Sequence, residues 1–244
     1  MSHRECFDPF SLGGARPGIH RPLCGLCLLR GGSPGGQHRH PDAGGAGRPF
    51  GLRGCDCLAV PAPDALAAGL TPVPLKEVAC QATAYLGLGG PSLCAHNGAL
   101  FKEGVPLPLP GQSTTAAETR REAGAQVQVD IFGEGMADFW RSGPEESHHI
   151  NRWLAANCFG DYCTRTGPDL RQRELIAFRF LAAQDGCEPQ PKSHIAANLR
   201  LGTGQRALIA TPSTALSYIG YPRNLNALRC IQEAADPKNG CPTK

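Results

Sequence analysis

Long apolar runs are missing from this sequence. No stretch approaches the roughly 18–20 residues that a helix needs to cross a bilayer, so no membrane span is expected. A strong charge of either sign is missing too. The 24 Lys and Arg against 21 Asp and Glu leave a formal charge of +3, which is too little to argue for nucleic acid or an anionic membrane. No basic stripe with interleaved aromatics runs along the chain. The opening Met1-Ser-His-Arg-Glu-Cys carries both signs of charge and leads into no continuous apolar segment. No secretory signal is therefore expected, and a cytoplasmic location is. The 12 cysteines lack metal-ligand spacing: Cys24-x-x-Cys27 and Cys55-x-Cys57 are the close pairs, and no paired histidines follow them. Neither a metal site nor a cofactor is expected, and reduced thiols are the default without a secretory route. Scattered singly through helical sequence, the other cysteines read as small hydrophobes.

Glycine and proline are plentiful, at 31 and 22 residues, and their excess lies before Thr71 and in Gly104–Gly111. From Thr71 onward the pattern turns helical. Leu75, Val78, Ala79, Ala82 and Leu86 recur at helical spacing, and a short amphipathic stretch follows at 93–101. Leu107–Thr115 reads as an extended linker whose Ser or Thr residues can cap a mostly solvated helix over 118–129. Another helix is expected over 147–157. Asp169 is a natural N-cap for a helix over 170–184, in which Leu175, Phe178, Leu181 and Ala182 form an apolar face. Glu174 stands four residues before Phe178 and seven before Leu181, so its carboxylate projects near that face. A turn at Asp185-Gly186 leads into a helix that Pro191 helps to open and that runs to Leu201. Two further helices are expected, split at Gly220-Tyr-Pro222, with Pro237 and Gly240 ending the order.

The chain also repeats itself. Gly69–Gly87 aligns without gaps on Gly202–Gly220, with Ala84-Tyr85-Leu-Gly87 over Ser217-Tyr218-Ile-Gly220. The second copy starts much earlier, near His149, so the first copy lacks its front half. Back-translating Gly13–Gly54 and shifting by one base permits a sequence that lies ungapped on His149–Arg173. Residues 1–64 are accordingly expected to be out of frame or disordered, since a Gly/Pro-rich segment without apolar periodicity does not pack into a core. The resulting division is 65–103 as the remnant of a first repeat and 104–130 as linker and connecting helix. An intact second repeat then spans 131–236, and 237–244 is a tail.

The run Gly186-Cys-Glu-Pro-Gln-Pro-Lys-Ser-His-Ile-Ala-Ala-Asn, with Ser217-Tyr-Ile-Gly-Tyr-Pro-Arg-Asn-Leu-Asn-Ala-Leu after it, resembles the carboxymuconolactone decarboxylase family. Arg171-Gln-Arg-Glu-Leu-Ile and Ile131-Phe-Gly-Glu-Gly fit the same pattern. The family includes the alkylhydroperoxidase D-like proteins, and the resemblance implies a compact all-α helical bundle, commonly assembled as a trimer or hexamer. In the alkylhydroperoxidase branch a helix-borne Glu precedes Cys-x-x-Cys-x-x-x-His. The matching residues are Glu174, Cys187 and His194, but Gln190 stands where the second Cys belongs, and an amide cannot form or resolve a disulfide. The decarboxylase branch needs no thiol, only proton transfer to a carbanion.

The residue chemistry supports the same three candidates. A desolvated carboxylate and a histidine suit acid–base work near neutrality. A helix starting near Cys187 would set Cys187, Gln190 and His194 on one face and favour the thiolate. The plain structural alternatives are pairing of Glu174 with Arg171 or Arg173, a hydrogen-bonded core His194 and a core-filling Cys187. His149, Gln190 and Asn224 are weaker candidates for substrate contact, and Tyr85 is assigned to the core. Three functions follow as expectations: acid–base catalysis on a small carboxylated lactone, thiol-dependent peroxide reduction through Cys187, or an inactive product of the damaged first repeat.

Overall fold

The computed structural model describes residues 71–87, 104, 111–184 and 186–236, apart from the side chains of Ser217 and Tyr218. The segment 1–64, the close cysteine pairs, the amphipathic stretch 93–101, the turn residue Asp185 and the tail 237–244 lie outside these residues. Every regular element among the described residues is helical. None of those helices is long and apolar enough to cross a membrane.

In chain order, α1 is Pro72–Leu86, opened by a proline in its first turn and buried through Leu75, Val78, Ala79 and Ala82. Helix α2 is Arg120–Phe132. Two 3-10 turns, Glu134–Met136 and Phe139–Arg141, lead to α3, His148–Trp153, which continues as a π-helical stretch over Leu154–Cys163. Helix α4 is Leu170–Ala182, α5 is Pro189–Arg200 and α6 is Gln205–Ser213. Helix α7, Leu216–Ala235, carries a kink at Gly220, whose φ of 73° an L side chain rarely adopts.

Two expected elements differ from the reading of the sequence. Helix α2 is not mostly solvated: it buries Gly124, Gln128 and Ile131 against the π-helical stretch. The helix expected over 147–157 is α-helical only to Trp153, after which wider turns take over, as in the Thr164 N–H to Phe159 carbonyl bond at 3.2 Å. Those turns bring backbone onto backbone. A Cβ at Gly124 would lie 1.9 Å from the Ala155 carbonyl oxygen, and one at Gly160 2.0 Å from that of Arg120.

Helix α4 lies between two apolar clusters. Leu175, Phe178 and Ala182 join Ile195 of α5, Leu208 of α6 and Ala227, Cys230 and Ile231 of α7. On the other side, Ile131 of α2 meets Cys158, Phe159 and Cys163 of the π stretch and Ala197 of α5, with Tyr85 and Phe132 packed against them. The α4 start follows its sequence closely. The Asp169 carboxylate accepts from the Gln172 N–H at 2.8 Å, and the Gln172 side chain accepts in return from the Asp169 N–H at 3.0 Å.

Candidate functional site

Glu174 sits one turn into α4 and His194 in the second turn of α5. The packing of these helices closes the pair: His194 Nδ1 lies 2.6 Å from Glu174 Oε2. Glu174 is fully buried and His194 is 8% exposed, so the pair is approached through the imidazole. With Nδ1 committed to the carboxylate, Nε2 is the nitrogen left to exchange a proton outward. Glu174 Oε1 is buried without a hydrogen-bond partner. A buried polar atom in that state carries a desolvation cost and is a reservoir for binding. Arg171 and Arg173 take no part in pairing Glu174.

Aromatic rings wall the imidazole. Phe132, at the end of α2, meets it edge-on at 5.2 Å between centroids, and Tyr85, at the end of α1, at 5.7 Å. Phe132 is held in place from α5 itself. Arg200 donates from Nε to the Ile131 carbonyl at 3.1 Å and from Nη2 to the Val129 carbonyl at 3.0 Å and to that of Asp130. A guanidinium on the last carbonyls of α2 satisfies acceptors that the helix leaves open.

Cys187 is half-buried and precedes α5 rather than lying on it; its thiol meets the Leu181 carbonyl at 3.7 Å, and its own carbonyl accepts from the Gln190 N–H. The Gln190 side chain is exposed on the first turn of α5. His149 is exposed on α3, edge-on to Trp153 at 4.8 Å. Asn224 is buried and donates to the Pro212 carbonyl at 2.6 Å, bracing the α6–α7 turn. The structure thus brings together Glu174 and His194. An open groove of about 390 Å³ lies apart from them, lined by residues including Arg120, Arg121, Arg152 and Trp153. It touches none of the six candidates.

Sequence reasoning missed three contributors. Tyr85 was assigned to the core, Phe132 was not singled out, and a buried ion network beneath them went unseen. In that network Arg165 Nε donates to Glu77 Oε1 at 3.0 Å and Oε2 at 2.9 Å, while Arg173 Nη2 donates to Glu77 Oε2 at 3.2 Å and to the Arg165 carbonyl at 2.8 Å. A signal was present. Glu77, Gln81 and Tyr85 stand at i, i+4 and i+8, a polar stripe along a mostly apolar helix. Among the described residues, no group of three or more His, Cys, Asp or Glu is placed to hold a metal ion.

Compared with known proteins, residues 149–233, which hold α4 to α6 and most of α3 and α7, match the Carboxymuconolactone decarboxylase family. No curated protein and no solved structure matches the chain.

Proposed function

We propose that the chain, whose residues 149–233 match the Carboxymuconolactone decarboxylase family, is an acid–base enzyme acting on a small carboxylated lactone or a related carbon acid. The observation that carries this reading is the buried Glu174–His194 contact of 2.6 Å, with one carboxylate oxygen still unpartnered. In the proposed reaction the bond from the ring carbon to the carboxylate breaks and carbon dioxide leaves. The electron pair passes to the lactone carbonyl as an enolate. A proton held by the Glu174–His194 pair then forms the new C–H bond, and water restores the pair. Sharing a proton between two buried groups keeps it available without a free charge in an apolar site.

The half-buried Cys187 is the group a thiol peroxidase would use, with a hydroperoxide as oxidant and an external thiol to resolve it, since Gln190 cannot. The amide at Gln190, where a resolving thiol would stand, favours the acid–base reading.

The test is turnover of carboxymuconolactone by the full chain, followed as carbon dioxide release. Glu174→Gln and His194→Gln are expected to lower kcat by roughly 10²–10⁴-fold, the usual contribution of a positioned acid or base. Cys187→Ser is expected to retain activity. Hydroperoxide consumption that disappears in Cys187→Ser, with no lactone turnover in the parent chain, overturns the reading.

A further inference from the structure

Tyr85 comes from α1, outside the family segment, yet its ring stands 5.7 Å from that of His194 and 5.8 Å from that of Phe180. Its hydroxyl oxygen is buried, finds no oxygen or nitrogen partner, and lies against the Cys158 thiol, which is a weak acceptor. The nearby Glu174 Oε1 is the complementary case, a buried acceptor without a donor. Both groups flank the His194 imidazole, Tyr85 ring to ring at 5.7 Å and Glu174 through its 2.6 Å contact, but they do not bond to each other. A donor with only a weak sulfur acceptor and an acceptor with no donor, on either side of one imidazole, are what a third, polar molecule would satisfy together.

We propose that Tyr85 is a substrate-contacting residue whose phenolic O–H donates to the oxygen of a lactone carbonyl or enolate, opposite the Glu174–His194 pair. This rests on the acid–base reading above and names the group that would hold the oxygen on which its charge develops. The phenol suits that role. Burial first, then the Cys158 thiol and the Glu174 carboxylate, hold its pKa well above its ordinary value, so it stays a donor across the physiological range. No proton leaves Tyr85 in the step: the hydroxyl stabilises the oxyanion, and the proton that reaches carbon comes from the pair. The site is then composite, complete only when α1 is docked on α4.

The test uses tetronate, a stable lactone enolate, titrated into the full chain by calorimetry. The parent chain is expected to bind it, and Tyr85→Phe to bind it roughly tenfold to a hundredfold more weakly, as for a lost hydrogen bond to a charged group. The lactone kcat is expected to fall in Tyr85→Phe, as for a lost donor to the developing oxyanion. Equal tetronate binding by Tyr85→Phe and the parent chain, or no binding by the parent chain, overturns the assignment. If Tyr85→Phe loses its helical circular dichroism, tyrosine-labelled parent chain decides instead. A Tyr85 ring-carbon resonance that moves with tetronate supports contact, and one that stays fixed refutes it. Tyr85-dependent tetronate binding without lactone turnover leaves this assignment standing and removes only the decarboxylation reading.

Discussion

Burial outweighs every nearby charge at Cys158 and Cys163. The Cys158 thiol is pushed up to about 12, chiefly by burial, with the Tyr85 hydroxyl pulling the other way and the Glu174 carboxylate adding to the rise. Cys163 is also held well above its ordinary value, first by burial, then by Cys158 and Glu174, against Arg173. An acid whose folded pKa is raised contributes stability that is fully present below its unfolded pKa and lost as pH climbs toward the folded one. Above pH 9 the unfolded chain therefore holds fewer of these protons than the folded chain, and stability falls with pH. From Cys158 alone the loss by pH 11 is roughly 3 kcal/mol, at about 1.4 kcal/mol per unit. Urea midpoints measured from pH 8 to 11 are expected to drop steeply in the parent chain and less steeply in Cys158→Ala; equal slopes would contradict the argument. The same residues show what the sequence could tell at this scale. Glu174 and His194 were legible because each stands at a definite place in the family motif and on an amphipathic helix. Tyr85 was not, because its chemistry arises from a contact with a residue about 110 positions further along, and a tyrosine on an apolar face reads first as core.

Helix α2 and the π-helical part of α3 meet through glycine, and this explains why their packing escaped a reading based on apolar periodicity. Such a reading counts hydrophobic side chains. Here the contact is backbone on backbone, and the residues that permit it, Gly124 and Gly160, have no side chain to count. The Gly160 carbonyl is held there by the Thr115 hydroxyl at 3.0 Å and the Thr164 hydroxyl at 2.6 Å, so it has little freedom to withdraw. Gly160→Ala places a methyl 2.0 Å from the Arg120 carbonyl oxygen and must push the helices apart. The expected cost is at least that of ordinary overpacking, roughly 1–3 kcal/mol. Because Phe132 ends α2 and walls His194, the shift should reach the site as well as the melting temperature. Thermal unfolding and lactone turnover of Gly160→Ala check this together; parent-like values for both would mean that the close approach is relaxed in solution. By contrast, α4 was legible almost to the residue, since its capping box and its apolar face are both local.

At the scale of the molecule, a buried charge network joins α1 to the family segment. Glu77 is fully buried and faces two guanidinium groups, Arg165 and the equally buried Arg173, while Gln81 donates to the Arg173 carbonyl at 2.8 Å. Such a network is not strongly stabilising against an apolar core of the same shape, because taking its charges out of water is costly. Removing one member is a different matter, since it strands the rest. Glu77→Gln leaves Arg173 buried with no carboxylate, and breaking a buried pair in this way costs roughly 3–5 kcal/mol. That cost falls on the docking of α1, because the partners of Glu77 lie across the α1–α4 boundary and the core formed by α4, α5, α6 and α7 contains none of these groups. The expected outcome is therefore local before it is global. In Glu77→Gln, hydrogen exchange at α1 amides should accelerate far more than at α4 to α7, and tetronate binding should weaken as Tyr85 swings out with its helix. Protection of α1 equal to that of the parent chain would show that apolar contacts through Leu75, Val78 and Ala82 hold it alone. Uniform acceleration across every helix would show that α1 and the family segment unfold as one unit.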